Sequence, residues 1–204
     1  FLEEMEFSTL TRRVRDAGGL DAAPAKAPAA AAITSDAYET IFDPARLKDV
    51  LAEAEEIGIL AIDTETNSLN AMQARLVGIC LSAKPGQGVY VPLTHGAEGL
   101  DLDDEDASRQ MPVDIALSLL KPALENPAIL KVGQNLKYEA LILARHDINI
   151  IRYDDTMLMS YVADCGLHRH GMDELSELHL GHKPISFSSV VGTGKIAKTF
   201  DQIP

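Results

Sequence analysis

Cysteine is the first scarcity. The chain of 204 residues has two, Cys80 and Cys165, far apart and without metal-type spacing around either. No disulfide framework or cysteine-built zinc site fits that pattern, and the expectation is two free thiols buried in apolar surroundings in a reducing compartment. Long hydrophobic runs are also missing: none approaches the roughly 18 residues that span a bilayer. No signal-peptide pattern opens the chain either, so a soluble cytoplasmic protein with no membrane partner is expected. Bases are few, 18 against 31 acids, for a net charge of -13. Taken alone, that balance argues against a nucleic-acid partner, because phosphate binding normally uses a basic surface. Much of the excess is local, however: Glu98 to Asp106 (EGLDLDDED) carries six acids and no base, the pattern of a solvated loop. The charge balance lowers the case for DNA without removing it.

What is present is enough apolar residue, 46% of the chain, to bury a sizeable core in one domain of about 150 residues with extra segments. Leu2, Met5, Leu10 and Val14 form a helical stripe that ends at Gly18-Gly19. Residues 21–36 (DAAPAKAPAAAAITSD) are dominated by alanine and proline and read as a linker. This divides the chain into 1–16, the end of a preceding domain, 17–36, a linker, and 37–204, a second domain. The second domain opens with a short strand at Tyr38–Ile41. Asp43-Pro44 then supplies an N-cap and a first-turn proline for a helix to Glu56. Strands are expected over Ile59–Thr64, Arg75–Ser82 and Gly88–Pro92, the last two joined by a hairpin-type turn at Lys84-Pro85-Gly86-Gln87. A helix near Pro112–Leu120, a strand near Ile129–Gly133, and helices over Leu136–Arg145, Thr156–Ala163 and Met172–Leu180 follow. Three strands in series, then helices alternating with a strand, predict a mixed sheet flanked by helices.

The chemistry is concentrated in AIDTETNSLN, Ala61 to Asn70. Successive strand residues face opposite sides, so Asp63 and Glu65 share one face, with Cα atoms about 6.5 Å apart. Two such carboxylates repel, and one takes up a proton unless a cation lies between them. Their oxygens are hard ligands suited to Mg²⁺ or Mn²⁺, although a solvated acidic strand end is the plainer alternative. In VGQNLKYE, Asn135 and Glu139 fall four apart on one helical face. If that helix packs beside the Asp63 strand, it brings an amide and a third carboxylate to the same cleft. Asp155, just before a helix, reads as an N-cap.

DTETNSL, VGQNLKYE, DDTMLMSYVAD, HRHGMDEL and HKPISF, in that order and spacing, resemble the 3′-5′ proofreading exonuclease domain of bacterial DNA polymerase I, over about Ile41 to Pro204. The resemblance implies an α/β, ribonuclease H-like mixed sheet flanked by helices (the DnaQ-like exonuclease fold), truncated at its C-terminus. It implies hydrolysis of the 3′-terminal phosphodiester of single-stranded DNA by two divalent ions, Mg²⁺ or Mn²⁺, about 3.5 to 4 Å apart. It also makes residues 1–16 the end of a 5′-nuclease domain and a polymerase domain of the same parent chain a partner. Position by position, Asp63, Glu65 and Glu139 match metal-binding acids, with Glu65 also orienting the attacking water. Leu69 matches a wedge between the last two bases, Phe187 an aromatic that stacks on the terminal base, and Asn135 and Arg169 polar contacts to the strand. Arg169 and Lys137 are then expected to face the DNA cleft.

Two features depart from the resemblance. Glu139 stands where the family has Asp, one methylene shorter, and Mg²⁺ is strict about geometry. A third motif, a Tyr and an Asp four residues apart, does not occur in the chain, so these residues alone are expected to be weak or inactive. A degenerate domain that serves as a scaffold for the polymerase is the rival reading. Gly192-Thr193-Gly194-Lys195 fails the phosphate-loop pattern at Ser189 and Ile196. His168, His170, His179 and His182 read as polar surface or DNA contact, and Met157 and Met159 as packing.

Overall fold

The computed structural model describes residues 38–96, 109–194 and 198–203. The apolar stripe of residues 1–16, the linker 17–36, the acidic run Glu98–Asp106 and Lys195 lie outside the described residues.

The elements are β1 (Tyr38–Thr40), α1 (Pro44–Ile57), β2 (Ile59–Thr66), β3 (Leu76–Ser82), β4 (Gly88–Pro92), α2 (Val113–Leu124), β5 (Leu130–Gly133), α3 (Lys137–Ala144), β6 (Tyr153–Asp155), α4 (Thr156–Ala163), α5 (Met172–Leu180) and α6 (Phe187–Val191), followed by a 3₁₀ turn at Phe200–Gln202. The strands form one sheet in the order β1-β4-β3-β2-β5-β6. β2–β3 and β3–β4 are antiparallel, while β1–β4, β2–β5 and β5–β6 are parallel. The mixed sheet flanked by helices expected from the sequence is therefore present.

Local signals set the ends of α1 as read. The Asp43 side chain accepts from the Ala45 N–H at 2.9 Å, and Gly58, at φ +80°, closes the helix by donating its N–H to the Ala54 carbonyl. β2 is buried at alternate positions, Leu60, Ile62 and Thr64. Leu60 and Ile62 share one continuous core with Leu47, Val50, Leu51 and Ala54 of α1, Leu117 and Leu120 of α2, and Ile142 and Leu143 of α3. The opposite face of the same strand carries Ala61, Asp63 and Glu65 toward an open cleft.

Three features escape the periodicity. β6 is three residues long and was masked by the acidic pair Asp154-Asp155. A register shift between Glu65 and Thr66 bulges β2 immediately after the second acid, where bulges commonly end pairing and re-aim side chains. Asn135 is not on the face of α3 with Glu139; it sits before the helix at φ +63°, in the left-handed region that Asn tolerates. Cys165 is exposed and Cys80 half-buried, so the expectation of two buried thiols fails. Cys165 follows α4, a helix whose only buried residue is Ser160. For the same reason Met159 is exposed rather than packed.

Asp155 ties the second half together. Its Oδ1 accepts from the N–H groups of Met157 at 2.9 Å and Leu158 at 3.4 Å, capping α4, and from Asn135 N–H at 2.9 Å. One buried carboxylate thus satisfies a helix end and a strained turn. Asp155→Ala is expected to lower unfolding free energy by about 2 kcal/mol, above an ordinary cap, because a third, part-buried N–H loses its acceptor. Urea denaturation monitored by circular dichroism checks this.

Candidate active site

The open sheet face bounds a cleft of about 870 Å³. Ala61, Asp63 and Glu65 of β2, Cys80 of β3 and Tyr90 of β4 line its floor, and Leu175 and His179 of α5 and Phe200 line its wall. Of the seven site residues named from the sequence, Asp63 and Glu65 line this cleft.

The two acids sit in a row fixed by backbone pairing. Asp63 lies opposite Cys80, and Glu65 opposite Gly78. Gly78 leaves room for Tyr90, whose ring crosses β3 at that point: a Cβ there would fall 2.0 Å from the Tyr90 hydroxyl, and the ring would have to shift. Burial raises the pKa of Asp63, with a partial offset from the Thr64 backbone N–H. Burial, then the charge of Asp63, pushes Glu65 up to about 7. The same desolvation, with Asp63 and Glu65 adding to it, pushes the Cys80 thiol up to about 12, so it is an inert floor residue rather than a nucleophile.

Glu139 takes a different position. It is 3% exposed, and its Oε1 accepts from Thr64 Oγ1 at 3.2 Å. Thr64 leaves β2 on the face opposite Asp63 and Glu65, so the third carboxylate reaches the strand from the core side. Its Oε2 is buried and has no hydrogen-bond partner. Burial raises Glu139 to about 7, its own backbone N–H offsets part of this, and the Asp63 charge raises it further. Among the described residues, no three Asp, Glu, His or Cys side chains converge closely enough to hold a metal ion. The donor chemistry nonetheless suits a hard divalent cation: three desolvated carboxyls repel one another, and one oxygen is orphaned.

Leu69 projects at 98% exposure from the turn after β2. The turn is braced from α3: Tyr138 Oη donates to the Ser68 carbonyl at 2.5 Å and lies 2.5 Å from Thr66 Oγ1. Asn67 donates its backbone N–H to the Arg75 carbonyl, and its Oδ1 accepts from the Arg75 N–H. Asn135 Oδ1 accepts from Lys137 Nζ. Arg169 is exposed, 3.9 Å from Glu174 Oε1, in a small groove that shares Met172 with the cleft. Neither Arg169 nor Lys137 is among the residues that line this cleft. Phe187 is exposed, its ring stacked on Phe200. Pattern reading assigned no role to Tyr138, Thr64, Tyr90 or Phe200. For Tyr138, the signal was its place one residue before Glu139; the others have none in the local sequence.

The fold is that of the DnaQ-like, ribonuclease H-like exonucleases. Escherichia coli RNase D matches with a TM-score of 0.55 at 17% identity, covering 79% of this chain and 37% of its own. The EXO domain of Aedes aegypti Nibbler matches at 0.56 and 9% identity, covering 78% and 76%. Residues 38–203 match the family described as 3′-5′ exonuclease, and the chain belongs to that family, the 3′-5′ exonuclease domain of DNA polymerase I. DNA polymerase I of Rhizobium leguminosarum is 46% identical over 195 residues, 90% of this chain and 19% of the relative. That of Pseudomonas aeruginosa is 38% identical over 208 residues, 98% and 21%. The chain thus spans about a fifth of the length of these relatives.

The raised carboxyls carry a pH signature. In an unfolded chain Glu65 and Glu139 ionise near 4.5, against about 7 when folded. Between those values the folded form holds more protons than the unfolded form, so stability falls as pH rises through the window. The metal-free protein is expected to melt at a lower temperature at pH 8 than at pH 5.5, and Glu139→Gln is expected to flatten the difference. Differential scanning calorimetry in EDTA measures both.

Proposed function

We propose that this domain is the proofreading half of a DNA polymerase I, removing nucleotides from the single-stranded 3′ end of DNA with divalent ions, two in number, Mg²⁺ or Mn²⁺, held by Asp63, Glu65 and Glu139. The observation that carries the proposal is the pairing of Asp63 and Glu65 on the cleft face of a strand whose other face is buried core. When bound, the ions supply an activated water and stabilise the leaving 3′ oxygen.

The chain's own residues do the rest. Asp63 and Glu65 would together hold a cation whose charge offsets the repulsion between their carboxylates and a phosphodiester, and because burial raises both acids they would give up protons on taking it. Glu65, between the cleft floor and the bulge, orients the attacking water. Glu139 joins them by releasing Thr64, which explains an oxygen left without a partner. Leu69, on its braced turn, separates the last two bases, and Phe187 stacks on the terminal one. Asn135 and Arg169 hold the strand outside the cleft. Stacking and wedging read no base identity, as proofreading requires, and selectivity comes from fraying, since an unpaired end costs less to separate. A polymerase domain in the same parent chain delivers that end. Residues 1–16 close a preceding 5′-nuclease domain, and 17–36 link it to the exonuclease domain, which begins at residue 37.

The rival, a scaffold that keeps the fold without the chemistry, is favoured by Glu139: its carboxylate is engaged by Thr64 and no three-ligand group forms among the described residues. That arrangement also supports weak activity for these 204 residues alone.

In the longest natural chain that carries this domain, Asp63→Ala is expected to abolish Mn²⁺-dependent release of nucleotides from single-stranded DNA, by more than a hundredfold. Glu139→Gln is expected to lower it more than tenfold if Glu139 joins the site; an unchanged rate would favour the scaffold. Chain-length analysis of a 5′-labelled oligonucleotide provides the readout.

A further inference from the structure

Four rings run in series from the cleft floor to its rim. Tyr90 and His95 lie 5.8 Å apart, His95 and Phe200 5.7 Å, and Phe200 and Phe187 6.3 Å, the last pair nearly parallel at 13°. Each spacing falls in the range of favourable aromatic pairs. The last two rings of the series are held differently. Phe187 opens a helix of five residues whose only buried member is Val191, and its own ring is 61% exposed. Phe200 lines the cleft and sits in a 3₁₀ turn pinned on both sides.

The pins are specific. Asp201 accepts from Arg75 Nη2 at 2.5 Å, and its carbonyl accepts from the Gly96 N–H at 2.7 Å. His95 Nδ1 lies 3.0 Å from the Ile203 carbonyl, and its Nε2 lies 2.5 Å from Tyr90 Oη. Thr199 and Gln202 close a capping box around the turn. Arg75 is the residue whose backbone pairs with Asn67 at the foot of the Leu69 turn. The latch therefore ties the 3₁₀ turn to the loop that presents Leu69 and, through His95, to Tyr90 of β4.

We propose that Phe200 is a positioning residue for the terminal base: its ring, locked by the Arg75–Asp201 and His95–Ile203 latches, fixes the plane of Phe187, and a base stacking on Phe187 meets a rigid two-ring platform. This rests on the exonuclease reading above. A lone exposed phenylalanine loses rotamer freedom whenever a base stacks on it; a second ring behind it removes that freedom beforehand. The effect falls on binding, in ground state and transition state alike, so it appears in KM rather than kcat.

The test uses the longest natural chain that carries the domain and a single strand ending in 2-aminopurine, whose fluorescence is quenched by stacking. Phe200→Ala is expected to raise KM on the order of tenfold with kcat within twofold, and to weaken the quenching measured in the Asp63→Ala background. Phe200→Tyr is expected to restore both; Phe200→Leu, which keeps bulk without a ring and stands in if the alanine variant does not fold, is not. Phe187→Ala/Phe200→Ala is expected to be no worse than Phe187→Ala, because Phe200 acts through Phe187. Unchanged KM and quenching, full rescue by leucine, or multiplied penalties in the double variant would each overturn the inference. If Asp63→Ala still cuts, the exonuclease reading fails instead; if it does not cut but Phe200→Ala changes nothing, only the present inference fails.

Discussion

Alternation along β2 is the constraint on which the rest depends. One face of an eight-residue strand supplies Leu60, Ile62 and Thr64 to the core, and the other offers Asp63 and Glu65 to the cleft. Because the side-chain period is two, a slip of one residue would bury both acids and expose the apolar set. The core on one face therefore enforces the site on the other. The site needs no strain to hold the carboxylates together, only the burial of their neighbours. Desolvation then raises both acids without an opposite charge beside them, which gives a cation reason to bind.

Around that strand the molecule builds outward in tiers. Gly133 and Gly78 allow close approaches that a side chain would block: a Cβ on Gly133 would stand 2.8 Å from the Ile62 carbonyl and 2.5 Å from Leu136. Asp155 orients the turn into α3 and starts α4. Tyr138 braces the Leu69 turn, and Arg75 links that turn to the latch at Asp201. Residues far apart in the chain thus converge on one rim of the cleft.

The legible part of the fold is the part written in local chemistry. Asp43-Pro44 and Gly58 delimit α1, alternation marks β2, and α4 and α5 stand at Thr156–Ala163 and Met172–Leu180 as expected. The ordered motifs gave the family, and alternation gave Asp63 and Glu65 a common face. What stayed hidden depends on contacts between distant residues or on backbone geometry. No spacing rule foretells that Glu139 bonds Thr64, 75 positions earlier, or that Arg75 meets Asp201 across 126 positions. The left-handed Asn135 turn broke the expected helical face, and the bulge after Glu65 left no compositional trace. Both cysteines were read as buried among apolar residues, yet Cys165 lies exposed in the turn after α4.

The central claim is that Asp63 and Glu65 share a divalent cation on the cleft face. Isothermal titration of Mn²⁺ at pH 6.5, repeated in buffers of different ionisation heat, tests it directly, because Glu65, pushed up to about 7 by burial and by Asp63, must shed its proton to take up metal. The account predicts saturable binding with proton release in the wild-type chain and neither in Asp63→Ala. Equal binding and equal proton release by the two proteins would contradict it.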